Sequence, residues 1–180
     1  EEVAEAFDHL EQAGKVHHFG VSIQNPMMME LIKTAVKQPL KVNQLQLSAA
    51  FTPSFEAGFH VNMEGPKAAV RDGSVFEYCR LTDTVIQAWS VLQHGYLKVN
   101  FVGKEEFAAL NHVLNDLAKK YQVTPTAIAL AWVLRYPGKM QAVIGTTKPQ
   151  HVLEAGKAAA VTLTRKEWYQ IYLAAGNDLP

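Results

Sequence analysis

The chain has 180 residues, and its 17 Lys and Arg residues balance 17 Asp and Glu residues, so the formal net charge is zero. A neutral balance argues against a nucleic-acid-binding protein, which usually carries an excess or a stripe of basic residues. Hydrophobic residues make up 48% and charged residues 19%, a composition typical of globular rather than disordered proteins. No apolar run approaches the ~18 residues of a membrane span, so we expect no membrane partner.

The single cysteine, Cys79, excludes an internal disulfide and an all-cysteine zinc site, and it is typical of a cytoplasmic protein. The sequence begins with Glu1 inside a helical pattern and carries no secretory signal pattern. We therefore expect residues 1–180 to be one domain from a longer chain. No linker or block of like charges divides it.

Helix and strand patterns alternate in the first part of the chain. Apolar residues at helical spacing predict a helix over residues 1–13, and Gly14 is typical of its end. Residues 15–21 are predicted to form a strand. Asn25 and Pro26 are typical of the cap and first residue of a second helix. Residues 41–47 alternate strictly, which predicts a strand with Asn43, Leu45 and Leu47 on one face and Val42, Gln44 and Gln46 on the other.

The later part continues the alternation after residues 49–80, which are rich in Gly, Pro and Ser and are predicted to form a long loop excursion. Two further strands are predicted over residues 84–89 and 141–144. Helices are predicted over residues 104–121, 126–135 and 149–159. Thr124 and Pro125 are typical of the cap of the second of these, which has little polar face and is expected to be deeply buried. The spacing of Thr164 and Glu167 predicts a capping box that opens a last helix, which Gly176 ends.

Helix–strand units in this order predict a parallel sheet with helical crossovers. Two architectures compete: an open doubly wound sheet, and half of a (β/α)₈ barrel, since a whole barrel takes about 250 residues. The sequence contains neither G-x-G-x-x-G nor a P-loop motif. Polar groups instead lie at the carboxyl-terminal ends of the predicted strands, which is where barrels place their active sites, and this favours the barrel. These residues are Ser22, Gln44, Trp89-Ser90 and Thr146-Thr147.

Four segments in chain order carry a family resemblance. Residues 14–22 (GKVHHFGVS), 42–48 (VNQLQLS), 86–90 (IQAWS) and 143–149 (VIGTTKP) resemble the fifth to eighth strands of aldo-keto reductases. The resemblance runs to the closing residues 168–180. It implies an α/β fold of the (β/α)₈ TIM-barrel family, of which this chain would be only the second half, with about four βα units.

The resemblance also implies an NADP(H)-dependent oxidoreductase that reduces a small carbonyl substrate to an alcohol. The catalytic Asp, Tyr, Lys and His of that family come from its first four strands, so no catalytic residue is assigned here. The parent protein is expected to be an enzyme, and the 180-residue chain alone is expected to be inactive. A missing N-terminal half or self-association is expected to cover the open barrel, whose interior we expect to be apolar.

The resemblance assigns twelve cofactor-binding positions. Ser22 and Gln44 match residues that hydrogen-bond the nicotinamide carboxamide, and Trp89 matches the aromatic residue that stacks on the ring. Gln46, on the same strand face, is interpreted as structural. The pyrophosphate loop is matched by Ser90, Leu92, Gln93 and Gly95, and the adenosine 2′-phosphate and adenine positions by Thr146, Thr147, Lys148, His151 and Glu154.

Several positions depart from the family pattern, among them Val91 in place of Pro and residues 93–95 in place of a glycine-richer run. Ile23 stands where Asn is usual, His151 where Arg is frequent, and Ala155 where Asn is frequent. Replacing Arg by His removes a bidentate and permanently charged phosphate ligand. These departures leave open an alternative function, a non-catalytic nucleotide-binding or interaction module derived from the same scaffold.

Overall fold

The structure, a computed structural model, describes residues 2–53, 74–94 and 100–179. Within these ranges one or two helices precede each strand, and short 3₁₀ turns lie at Glu105–Phe107 and Lys157–Ala160. In chain order the elements are α1 (Glu2–Gln12), β1 (Phe19–Ser22), α2 (Pro26–Lys33), β2 (Leu40–Gln46), α3 (Val75–Leu81), β3 (Val85–Trp89), α4 (Ala108–Tyr121), α5 (Pro125–Leu134), β4 (Met140–Ala142), α6 (Pro149–Gly156) and α7 (Arg165–Ala174).

The four strands form one parallel sheet in the order β1-β2-β3-β4. Sequential order is the arrangement in which each crossover places its helix on the same side of the sheet. The predicted parallel α/β sheet is therefore confirmed. A doubly wound sheet has a reversal of strand order and helices on both faces, and neither feature occurs among the described residues.

The helical layer buries one face of the sheet. Leu45, Ile86 and Ala88 point from β2 and β3 into a core that they share with α4, α5 and α7. Helix α5 is apolar on nearly every side, and its residues from Ala127 to Val133 are all buried, as its sequence predicts. Two indoles join α5 to α7: Trp132 and Trp168 stack with ring centroids 4.8 Å apart, and the Nε1–H of each donates to the carbonyl of the other at 3.0 Å.

The opposite face, here called the open face, has no covering layer among the described residues. Gln44, Gln87 and Gln141 lie side by side on it in consecutive strands. The Nε2 of Gln44 donates to Oε1 of Gln87 at 3.3 Å, and the Nε2 of Gln87 donates to Oε1 of Gln141 at 2.9 Å. This row of amides differs from the apolar interior expected from the sequence. Its polar groups can form hydrogen bonds with water, so exposing this face to water costs less than exposing an apolar one.

The predicted helix ends are confirmed. The Oδ1 of Asn25 accepts the N–H of Met28 at 2.9 Å, and the hydroxyl of Thr124 accepts the N–H of Ala127 at 3.2 Å. Thr164 and Glu167 form the predicted capping box of α7. Gly14 and Gly176 end their helices at positive φ, 66° and 83°, a conformation that glycine adopts without steric cost.

Several predicted boundaries need correction. Strand β1 begins at Phe19 and not at residue 15, because the N–H of Lys15 is still used by the end of α1, donating to the carbonyl of Leu10. Strand β4 spans only Met140–Ala142, and α4 is preceded by a 3₁₀ turn. The predicted excursion over residues 49–80 contains α3, which buries Val75, Phe76 and Cys79. Residues 54–73 of the excursion lie outside the described residues.

Candidate functional site

The carboxyl ends of β1 and β2 bring two predicted ligands together. Ser22 and Gln44 are register partners, and the Ser22 hydroxyl donates to the main-chain carbonyl of Gln44 at 3.1 Å. Behind them the buried Asn43 side chain holds the loop after β1: its Nδ2 donates to the carbonyl of Gln24 at 2.8 Å, and its Oδ1 accepts the Gln24 N–H at 3.4 Å. Asn43 thus fixes the backbone that carries Ser22.

Ile23, directly after Ser22, has a positive φ of 56° and is 70% exposed. A β-branched residue is a steric outlier in this left-handed region, which glycine and asparagine tolerate. The conformation is held because the N–H of Ile23 donates to the carbonyl of Gln44 at 2.9 Å. Asn, which the family resemblance makes usual at this position, tolerates this conformation better than Ile does.

We expect the substitution Ile23→Asn to raise the free energy of unfolding by about 1 kcal/mol, because it relieves the left-handed strain without removing buried apolar surface. Urea denaturation measures the change. Met27→Asn is the matched control, since Met27 is 74% exposed but lies in the regular helix α2, where asparagine brings no relief. Equal effects of the two substitutions would mean that the strain at Ile23 is not the cause.

The loops after β3 and β4 and the start of α6 enclose a cavity of about 480 Å³. Seven of the twelve predicted cofactor residues line it: Trp89, Ser90, Leu92, Gln93, Thr146, His151 and Glu154. Thr126 and Leu130 of α5 form part of its wall, together with Ala155. The cavity therefore joins segments that lie more than fifty residues apart in the sequence.

Helix α6 begins at the edge of this cavity without a side-chain cap at Lys148. The N–H of Lys148 donates to the hydroxyl of Thr146 at 3.2 Å, and that hydroxyl also lies 3.4 Å from Nδ1 of His151. The positive end of a helix, a hydroxyl and a lysine attract anions. The N–H groups contribute little here, because Pro149 has none and the N–H of His151 donates to the carbonyl of Lys148 at 3.0 Å.

Two buried side chains that the sequence analysis did not assign hold the loops around the cavity. The Ser48 hydroxyl, just after β2, donates to the carbonyl of Gln93 at 2.6 Å. Asn111 of α4 donates from Nδ2 to the carbonyls of Phe101, Lys104 and Phe107 and accepts the N–H of Gly103. A buried polar residue in the middle of an apolar helix face is the signal that could have identified Asn111 as such an anchor.

The remaining predicted ligands lie apart from the cavity. Ser22 and Gln44 lie at the neighbouring strand ends, and Thr147 and Lys148 are exposed at the entry to α6. Gly95 lies outside the described residues. The role of these residues as cofactor ligands stays a prediction. No cluster of three or more His, Cys, Asp or Glu side chains suited to a metal ion occurs in the parts of the chain that the structure describes.

Comparison with known proteins decides the family. The model of the aldo/keto reductase family matches residues 1–174. The chain belongs to this family. Among curated members, 6-dehydroglucose reductase of Agrobacterium fabrum is 31% identical over 180 residues, which are 99% of this chain and 54% of that protein. Oxidoreductase YdhF of Escherichia coli is 31% identical over 182 residues, which are 100% of this chain and 54% of that protein.

Solved structures of family members have the same fold. The thermostable aldo-keto reductase Tm1743 superposes with a TM-score of 0.68 at 19% identity, over 95% of this chain and 53% of that protein. The aldose reductase of Schistosoma japonicum superposes with a TM-score of 0.66 at 15% identity, over 97% of this chain and 46% of that protein. The chain thus spans about half the length of the members it matches. None of the described helices has the length and hydrophobicity required to cross a lipid bilayer.

Proposed function

We propose that this chain is the cofactor-binding half of an NADP(H)-dependent reductase of small carbonyl compounds, and that it forms the last four βα units of a (β/α)₈ barrel. The cavity of about 480 Å³ is the observation that carries the proposal, because it gathers seven residues that the family resemblance assigns to one dinucleotide. The relatives support the reaction class, since several are oxidoreductases by name, including the 6-dehydroglucose reductases.

The residues at the sheet end fit the parts of NADP(H). When bound, this cofactor supplies a hydride to a carbonyl carbon. Ser22 and Gln44 offer the donors and acceptors that a carboxamide needs, and the half-buried Trp89 offers a flat surface for a planar ring. The start of α6 offers the hydroxyl of Thr146, the cation of Lys148 and the positive end of the helix dipole for a phosphate. All of these groups would bind and orient the cofactor, and we assign none of them as the proton donor of the reaction.

The open face and the sheet edges support a covering partner. In the described residues β1 pairs only with β2, and β4 pairs only with β3, so each outer strand has an unpaired edge. Unpaired edges template the addition of further strands. Four further βα units, or a second copy of this chain, would pair both edges and cover the glutamine row. The proton donor for the alcohol product would come from the further βα units, since this chain is assigned none.

The proposal is tested by light scattering followed by NADPH titration of the 180-residue chain. We expect a dimer or a tightly held complementary half, and a change in NADPH fluorescence on binding. A compact monomer without a partner would contradict the covering layer. Unchanged NADPH fluorescence in both the chain and a form that includes the covering half would contradict the cofactor assignment.

Within the same titration, His151→Arg is expected to tighten NADPH binding about tenfold and to leave NADH binding unchanged. A guanidinium at this position would add a charge-assisted hydrogen bond to the 2′-phosphate, which NADH lacks, and such bonds contribute about 1.5–3 kcal/mol. His112→Arg is the matched control, because His112 lies on α4, away from the cavity lining, and is 79% exposed at its side chain. Equal gains for NADPH and NADH would place His151 away from the phosphate.

A further inference from the structure

Asn111 is a buried polar residue in the first turn of α4, and its side chain binds the backbone that precedes this helix. Its Nδ2 lies 2.9 Å from the carbonyl oxygens of Phe101 and Lys104 and 3.1 Å from that of Phe107. Its Oδ1 accepts the N–H of Gly103 at 2.8 Å. Asn111 is not among the described residues that line the cavity, so it can affect a ligand there only through the segment that it holds.

The segment held by Asn111 leads directly to one wall of the cavity. The N–H of Phe101 donates to the carbonyl of Leu92 at 3.0 Å, and Asn100 is the antiparallel bridge partner of Gln93. Leu92, Gln93 and Asn100 all line the cavity. A continuous series of hydrogen bonds therefore connects Asn111 to the cavity wall.

The position of Asn111 would suit an apolar side chain. Its buried neighbours on α4 include Leu110 and Leu114, and an apolar residue among them would avoid the desolvation of an amide. A fully hydrogen-bonded buried amide instead specifies one backbone conformation. Three of its four contacts are with residues 101–104, where Gly103 has a positive φ of 77°. Asn111 therefore fixes the shape of this turn more than it stabilises α4.

We propose that Asn111 is a positioning residue for the dinucleotide: it fixes the cavity wall formed by Leu92, Gln93 and Asn100, and this wall binds the diphosphate. The inference rests on the proposed function, in which the family resemblance assigns Leu92 and Gln93 to the pyrophosphate. The adenosine 2′-phosphate is assigned to the start of α6, which forms a separate wall of the cavity. A change at Asn111 therefore weakens binding of the diphosphate and spares the 2′-phosphate end.

The test uses two substitutions at this position. Asn111→Leu keeps the size of the side chain and removes its polar atoms. Asn111→Asp keeps its shape and the acceptor for the Gly103 N–H, but an ionised carboxylate cannot donate to the carbonyls. In titrations, both are expected to increase the dissociation constants for NADPH and NADH about tenfold and to leave that for adenosine 2′-monophosphate unchanged.

Thr84→Val is the matched control. Thr84 is buried just before β3, at the end of the sheet opposite the cavity, and its hydroxyl donates to the carbonyl of Leu40 at 3.3 Å. Loss of this hydroxyl should lower the midpoint of thermal unfolding without changing NADPH binding. Thermal unfolding of each chain shows whether the effects of Asn111→Leu and Asn111→Asp on binding exceed what lost stability alone produces.

The outcomes separate this inference from the proposed function. Weaker binding of NADPH and NADH with unchanged binding of adenosine 2′-monophosphate supports it. Unchanged NADPH binding by both Asn111 variants, when the unsubstituted chain binds NADPH, overturns it and leaves the proposed function intact. Equal weakening of all three ligands, or failure of both variants to fold, also overturns it, because Asn111 would then support the fold as a whole. If the unsubstituted chain binds no NADPH, alone or with its covering half, the proposed function fails and this inference fails with it.

Discussion

Replacing Gly20 by alanine is expected to lower the free energy of unfolding by about 2–3 kcal/mol, in the range of overpacking substitutions. A Cβ at Gly20 would lie 2.7 Å from Cβ of Val42 and 2.7 Å from its carbonyl oxygen. The carbonyl belongs to the neighbouring strand and cannot rotate away. The register shift between Phe19 and Gly20 brings the two backbones together at this point, so only a residue without a side chain fits.

The same substitution is expected to weaken NADPH binding more than its effect on global stability explains. Strand β1 lies at the edge of the described sheet and is paired on one side only, so separating it from Val42 displaces Ser22 two residues later. Urea denaturation and NADPH titration of the Gly20→Ala chain measure the two effects.

Gly156→Ala is the matched control for Gly20→Ala. Gly156 lies in α6 with φ of −58°, and a methyl group added there would meet no neighbouring heavy atom within 4 Å, so alanine should stabilise the helix by about 0.5–1 kcal/mol. If Gly20→Ala were as stable as the unsubstituted chain, the close approach of β1 and β2 would not exist in solution.

Local patterns were sufficient to predict much of this fold. The alternation of residues 41–47 places Leu45 inward and Gln44 on the open face, as observed in β2. The caps at Asn25, Thr124 and Thr164 were predicted because each depends only on residues within one helical turn. These features need no knowledge of the rest of the molecule.

Features that depend on neighbouring strands could not be predicted in this way. The start of β1 depends on how far the last turn of α1 extends, because the N–H of Lys15 still donates to the carbonyl of Leu10 in that turn. Helix α3 has only seven residues, and its Val75, Phe76 and Cys79 were hidden in a segment whose composition is typical of loops. The hydrogen bond between Gln44 and Gln87 depends on the register of β2 with β3, which no local pattern encodes.

The candidate site likewise has features that could be predicted from the sequence and features that could not. The family resemblance placed Trp89 and Thr146 near one ligand, and the structure brings both to one cavity wall. The side chains that hold the loops were not predicted, because Ser48 and Asn43 act through main-chain carbonyls distant in sequence. Ile23 and Ser90 add backbone strain directly after β1 and β3, with φ of 56° and 52°. Strain of this kind persists where the surrounding hydrogen bonds impose it, and such positions concentrate at functional sites.

The largest electrostatic effect on stability is expected at Glu167, which joins α7 to α4. Burial acts to raise the pKa of this carboxyl group, but hydrogen bonds from Lys120, Thr164 and Tyr121 outweigh it and lower the pKa from 4.5 to about 2. The Lys120 Nζ donates to Oε1 at 2.6 Å, and Oε2 accepts the Tyr121 hydroxyl at 2.8 Å. Oε2 also accepts the N–H and the hydroxyl of Thr164, at 2.8 Å and 2.7 Å.

A pKa that folding lowers to about 2 corresponds to about 3 kcal/mol of stability. Since the folded state favours the carboxylate, this stabilisation is fully present above the unfolded pKa near 4.5 and disappears as the pH falls through 2. Glu167→Gln is therefore expected to lower the free energy of unfolding by about 3 kcal/mol at pH 7, and the deficit relative to the unsubstituted chain should shrink steadily between pH 4.5 and 2. Urea denaturation across this pH range measures it.

Glu30→Gln is the control for Glu167→Gln, because its partner Lys33 lies at a similar distance, 2.9 Å, while the Glu30 side chain is 51% exposed. Exposed ion pairs contribute about 0–1 kcal/mol, so a small and nearly pH-independent change is expected there. If the deficit of the Glu167→Gln chain stayed constant from pH 7 to 2, the carboxylate charge would not be its cause, and loss of the capping-box geometry would explain it instead. A deficit that disappears with acid means that the junction of α4 and α7 is held by charge, because the amide preserves the shape of the side chain.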